Sequence, residues 1–146
     1  MARTMPDLVD ANVWLALLVR EHVHHAATRV WYEGVGIGQA GICRITELSV
    51  TRLLGNRTVM GKAAIPAAES WRQVMRLQDD GRVQFIAEPA DVGETLPTLL
   101  RYKVPTKNLV MDAYLAAFAI CAGRRLVTFD RGFQQFQGLH YVLLPA

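Results

Sequence analysis

Apolar residues in this chain fall into short blocks whose periodicity alternates from one end to the other. Leu8-Val9 is a brief apolar run that ends in Asp10, and Asn12 to Val19 continues it with Trp14, Leu15, Leu17 and Leu18. A buried strand feeding directly into a helix has this form. A second helix is expected from His24 to Glu33, where Ala26, Ala27, Val30 and Trp31 recur at helical spacing. Gly34, Gly36, Gly38 and Gly41 punctuate the next stretch, and a short strand fits Gln39 to Ile42. Thr46-Glu47 then opens a helix with Thr46 as candidate N-cap. Leu48, Val50, Thr51 and Leu54 follow, and Gly55-Asn56 is the stop signal.

The second half keeps the alternation. Lys62 to Pro66 reads as a loop, and Ala67 to Asp80 as a helix with Trp71, Val74, Met75 and Leu77 as its apolar stripe. Arg82 to Ala87 is a strand, and Asp91 to Tyr102 a helix bent near Pro97. Asn108 to Ala122 is the clearest helix and ends at Gly123, where a left-handed cap is expected. Arg125 to Phe129 is a strand that delivers Asp130, and Tyr141-Val-Leu-Leu is a last edge strand. Strands alternating with helices predict an α/β fold, a parallel sheet with helices on both faces. Neither a repeat nor a linker interrupts it, so residues 1–146 are expected to form one domain. Sites in such sheets lie at the carboxyl ends of the strands, near the switch point in strand order.

Composition narrows this picture only a little. With 51% hydrophobic and 20% charged residues over 146 positions, the chain suits one globular core. No apolar run approaches the roughly 20 residues of a membrane span, and Met1 to Asp7 lacks the layout of a secretion signal. A cytoplasmic protein is expected. Cys43 and Cys121 are far apart, with no CxxC or Cys/His cluster, so they are expected to be buried, reduced thiols and not zinc ligands. The formal net charge of +3 is compatible with nucleic acid without singling it out.

The acids carry more. Asp10 and Asp130 each end a strand, Asp112 lies in the first turns of the Asn108 helix, and Glu47 at the start of its own helix. Taken singly, each is explained as a cap or as a partner of the helix dipole. Yet all four border apolar segments that must be buried, where a lone carboxylate is costly. Two carboxylates about 4 Å apart repel by roughly 4 kcal/mol at an effective dielectric of 20. Four that converge would take up protons or need a hard divalent ion, and Mg2+ or Mn2+ suits oxygen ligands. Such an ion activates water against a phosphodiester, in keeping with the absence of GxSxG, HExxH and Walker motifs.

Four stretches, in order, resemble the PIN-domain family and in particular VapC-type toxins of toxin–antitoxin pairs. They are Leu8-Val-Asp-Ala-Asn-Val-Trp-Leu-Ala-Leu, Thr46-Glu-Leu-Ser-Val-Thr-Arg-Leu-Leu, Met111-Asp-Ala-Tyr-Leu-Ala-Ala-Phe-Ala and Val127-Thr-Phe-Asp-Arg-Gly-Phe. The resemblance spans essentially the whole chain. It implies an α/β/α sandwich around a central parallel sheet of about five strands and a Mg2+-dependent endoribonuclease, with Mn2+ as a substitute. It places Asp10, Glu47, Asp112 and Asp130 in an acidic cluster, Asp10 and Asp112 foremost as metal ligands, with Glu47 and Asp130 acting through water or on a second ion. Asn12 and Thr128 match accessory polar positions, although a helix cap and a strand hydroxyl explain them as well. It further implies a homodimer and a cognate antitoxin.

Cations near the acids are candidates for gripping RNA phosphates: Arg44 before Glu47, Lys103 and Lys107 before Asp112, and Arg131 after Asp130. Solvated surface charge is the plainer alternative for each. His22, His24 and His25 are read as a packed helix start, and Trp14 and Trp31 as core. Two other functions stand beside the toxin ribonuclease: a non-catalytic module of the same fold that binds RNA or protein, and a nuclease acting on DNA or flaps.

Overall fold

The computed structural model describes residues 5–101 and 103–145. Met1 to Thr4, which belong to the N-terminal stretch weighed above, Tyr102, the expected end of one helix, and Ala146 lie outside them. In chain order the elements are β1 (Asp7–Val9), α1 (Ala11–Leu18), α2 (His25–Glu33), β2 (Ala40–Ile42), α3 (Arg44–Leu54), α4 (Arg57–Met60), α5 (Ala67–Arg76), β3 (Val83–Phe85), α6 (Val92–Leu100), α7 (Leu109–Ala122), β4 (Arg125–Thr128) and β5 (Tyr141–Leu143). Short 3-10 turns cover Gly61–Ala63, Leu77–Asp79 and Arg131–Gln135.

The five strands form one parallel sheet in the order β3-β2-β1-β4-β5. Alternation along the strands builds two cores. Leu8 and Leu126 face one layer with Leu115, Phe118 and Phe133, while Val9 and Val127 face the other with Trp14, Ile42, Val50 and Val74. A period-2 strand buried on both faces produces this division. The inner strands β1, β2 and β4 are almost wholly buried, whereas Gln84 and Phe85 on β3 and Tyr141 on β5 are exposed at the edges.

Several local expectations shift. The α3 helix begins at Arg44 with Cys43 as its N-cap, so Thr46 sits inside the first turn; its hydroxyl lies 3.4 Å from the Cys43 sulfur. Gly55 ends α3 without a left-handed residue, and Asn56 instead caps the unforeseen α4, accepting from the amides of Thr58 and Val59. The helix expected to reach Asp80 tightens into a 3-10 turn after Arg76. Gly123 does close α7 at φ 64°. Cys43 is buried, but Cys121 is only half-buried and bonds the Thr95 hydroxyl.

At the amino end of the sheet Asp7, 5% exposed, pairs with Arg125 on the neighbouring strand at 2.9 Å. Beside it Arg124 reaches across β1 and past Gly41 of β2, donating to the Asp7 carbonyl at 2.9 Å and to Gln84 Oε1 on β3 at 3.3 Å. Only glycine at position 41 permits that crossing: a Cβ there would stand 2.7 Å from the Asp7 carbonyl oxygen and 2.9 Å from the Arg124 guanidinium.

Candidate active site

Strand order reverses between β1 and β4, because the chain moves outward from β1 to β3 on one side and from β4 to β5 on the other. That is the switch point, and two acids flank it at the carboxyl ends. Asp10 follows β1 and caps α1, its Oδ1 accepting from the Ala11 amide at 2.7 Å. Asp130 follows β4 and caps the 3-10 turn, its Oδ1 accepting from the Gly132 amide at 2.7 Å.

Thr128 joins them. Its buried hydroxyl donates to Asp10 Oδ2 at 2.7 Å and accepts from the Asp130 amide at 3.0 Å. Asp10 and Thr128 continue the alternation of Leu8 and Leu126, and so face the layer that contains α7. Asp112 stands in the first turn of α7. Its carboxyl is pushed up to about 6, first by desolvation and then by the charges of Asp130 and Asp10. Asp10 is raised too, mainly by burial, with the charge of Asp130 adding to it against the bonds from Thr128 and Ala11. These three acids therefore share one site and repel one another across it.

Glu47 does not join them. It belongs to α3, which packs against α1 and α5. Its carboxylate is fully buried, with Oε1 accepting from Arg44 at 2.9 Å and Oε2 from Gln78 at 2.9 Å. Burial raises its pKa, and Arg44 and Gln78 oppose that rise. The expected four-acid cluster thus appears as three acids plus one tied elsewhere. Sequence offered no sign of Gln78, because the partner lies 31 residues away on a different element.

The other candidates fall as follows. Asn12 is exposed on α1. Arg131 and Lys107 are exposed, and neither forms an ion pair among the described residues. Arg44 is held by Glu47 yet 58% of its side chain is exposed. Lys103 donates to the Gln135 carbonyl. The histidines have packing roles: His25 Nδ1 meets the Ala16 carbonyl oxygen at 2.7 Å, and His24 stacks on Phe129 with ring centroids 4.5 Å apart. Trp14 is wholly buried, and Trp31 half-buried against the second core.

The donor set fits a hard divalent cation. Three carboxylates repel one another with no lysine, arginine or histidine bonded to any of them among the described residues. No three acidic, imidazole or thiol groups among those residues converge tightly enough to chelate one ion directly. Mg2+ tolerates such an arrangement, since it keeps several waters and takes one or two carboxylates.

A family model for the PIN domain matches residues 8–139. The chain belongs to the PIN domain family. The resemblance seen in the four motifs therefore holds along nearly the whole chain. Ribonuclease VapC41 of Mycobacterium tuberculosis is 39% identical over 142 residues, covering 94% of this chain and 97% of that protein. Ribonuclease VapC29 of the same organism is 32% identical over 143 residues, covering 97% and 98%. Among solved structures, Mycobacterium tuberculosis VapC20, described as a sarcin-ricin loop cleaving toxin, superposes with a TM-score of 0.66 at 18% identity, covering 94% of this chain and 98% of that one. The VapBC2 structure from Rickettsia felis, bound to a promoter DNA fragment, superposes with a TM-score of 0.65 at 14% identity, covering 97% and 100%. These two neighbours support the PIN fold, with its five-stranded parallel sheet between helical layers.

Proposed function

We propose that this chain is a metal-dependent endoribonuclease, the toxin of a VapBC-type pair, and that Asp10 and Asp112 bind Mg2+ with Asp130 acting on it through water, Mn2+ being able to replace it. The observation that carries this is the placement of Asp10 and Asp130 at the carboxyl ends of the two strands flanking the switch point, joined through Thr128, with Asp112 in the first turn of α7 beside them. Relatives named ribonucleases, matched over almost their full length, supply the substrate class.

A bound divalent ion supplies an activated water and screens the charge that develops on the phosphodiester. The protein's own work is positional. Thr128 fixes the rotamer of Asp10 and the backbone at Asp130 with one hydroxyl. Desolvation of Asp112 makes its ionisation expensive, so cation and carboxylate favour each other strongly. Arg131, Lys107 and Arg44 are assigned to the RNA backbone, and Asn12, exposed at the start of α1, to a polar contact beside Asp10. Glu47 is assigned to anchoring Arg44 and not to the ion. An antitoxin partner follows from the VapBC complexes among the structural neighbours, and a homodimer from the resemblance. A cytoplasmic location is part of the proposal; no helix among the described residues is long and apolar enough to cross a membrane.

Purified, antitoxin-free protein is expected to cut structured RNA with Mg2+ and to spare DNA of the same sequence. Asp10→Asn and Asp112→Asn should each abolish cleavage while melting as cooperatively as the parent. Equal cutting by parent and variants would overturn the assignment. Folded parent that binds RNA without cutting it would favour the non-catalytic module, and preferential cutting of DNA the DNA nuclease.

A further inference from the structure

Two aromatic rings belong to neither core. Trp71 on α5 and Phe85 at the end of β3 are absent from both buried clusters, and Phe85 is 36% exposed. A single cation covers them both. The Arg44 guanidinium carbon lies 5.0 Å from the Phe85 ring centroid and 5.6 Å from that of Trp71. Arg44 is in turn held from beneath by Glu47, whose carboxylate is fully buried and has its second oxygen on Gln78.

The chain spends a buried carboxylate here to hold an exposed arginine still. Burying that carboxylate is costly and is repaid only when its partners are well placed. An exposed ion pair alone contributes little to stability. What the arrangement secures is a guanidinium held beside two aromatic rings, with 58% of the arginine side chain and part of the Phe85 ring left open to solvent.

Position adds a second argument. Arg44 follows β2 by two residues and Phe85 ends β3, so both stand at the carboxyl edge of the sheet. Asp10 and Asp130 occupy the same edge, after β1 and β4. Two strand spacings separate β3 from β1, about 10 Å. Unstacked nucleobases bind by stacking on aromatic rings and on arginine planes, while arginine also meets phosphate.

We propose that Arg44, Trp71 and Phe85 form a stacking platform for an unpaired nucleobase flanking the scissile phosphate, with Glu47 and Gln78 as positioning residues that hold the arginine. The platform sets preference for single-stranded or looped RNA beside the cut. It rests on the ribonuclease reading for its substrate, and is tested by binding alone so that the two fail separately.

The test uses the full chain carrying Asp112→Asn, in EDTA, with a fluorescein-labelled single-stranded RNA of mixed sequence followed by anisotropy. Adding Phe85→Ala should raise Kd about tenfold, within the range of a lost base–aromatic stack. Phe85→Leu keeps apolar bulk without a π-face and should weaken binding nearly as much; it also serves if the alanine variant fails to fold. Arg44→Lys keeps the charge but loses the plane, and should weaken binding by several-fold with an unchanged salt dependence. Folded Phe85 variants that bind RNA within twofold of a parent that does bind it overturn the platform alone, whereas a parent that binds no RNA overturns the ribonuclease reading and the platform with it.

Discussion

The hydroxyl of Thr128 donates to Asp10 Oδ2 at 2.7 Å and accepts the Asp130 amide at 3.0 Å, so one side chain sets two acids across the switch point. Thr128→Val keeps the shape and removes both bonds. The expected cost is roughly 1–3 kcal/mol of stability, because a buried carboxylate oxygen and an amide are left unpaired. Metal affinity or cleavage should fall about 10- to 100-fold, as is usual when the support of a ligand is removed. Calorimetric titration with Mn2+ beside a thermal melt checks both. A variant with parental Mn2+ affinity would show that Asp10 needs no such support.

Asp112 gives a pH dependence with a definite sign. Its carboxyl sits at about 6 in the folded protein, against the ordinary aspartate value of about 4 in the unfolded chain. Between those values the folded state holds more protons than the unfolded one, so stability falls as pH rises through the window and levels off above it. Denaturant melts in EDTA, comparing the parent with Asp112→Asn, isolate this contribution: the difference between them should change across that window and stay flat above about pH 7. Mn2+ affinity should drop below about pH 6, since protons then compete for the site. A parent-minus-variant difference that is flat from pH 4 to pH 7 would contradict the shift.

Glu47 separates the three-acid site from the expected four. Glu47→Gln should keep Mn2+ affinity within a few-fold of the parent, whereas Asp112→Asn should remove it. The same Gln variant should lose stability and RNA affinity, because Arg44 loses its buried partner. Loss of Mn2+ binding comparable to that of Asp112→Asn would return Glu47 to the ion.

Gly41→Ala tests the amino end of the sheet. The added carbon would meet backbone at 2.7 Å, which cannot yield as a flexible side chain can. A cost of roughly 1–3 kcal/mol is expected, as for other overpacking, with Mn2+ affinity unchanged because the site lies at the opposite end. Asp7→Asn should change stability by less than about 1 kcal/mol, because burial of the carboxylate, which raises its pKa, offsets its pairing with the one-third-exposed Arg125. Chemical denaturation of the two variants reads both values, and a Gly41→Ala chain as stable as the parent would mean that β2 shifts freely.

Much was legible in the chain alone. Leu8-Val9-Asp10 and Val127-Thr128-Phe129-Asp130 announce strands ending in acids, because apolar runs of that length must be buried and an acid at their end must find a partner. Gly123 marks the end of α7 because a left-handed cap favours glycine. Alternating strands and helices imply the parallel sheet, and the parallel sheet implies where a site lies.

Other features depend on separations no local pattern carries. Thr128 meets Asp10 across 118 residues and Gln78 meets Glu47 across 31. Thr46 resembles an N-cap in isolation, but the helix starts earlier at Arg44, and Glu47 then turns toward Arg44 and Gln78. A one-residue change of helix phase rotates a side chain by about 100°, the angle that follows from 3.6 residues per turn. The sequence by itself determined which acids stand at the ends of elements. Only the tertiary packing decided which of them face one another, because that depends on strand order and helix phase, and neither is a local property.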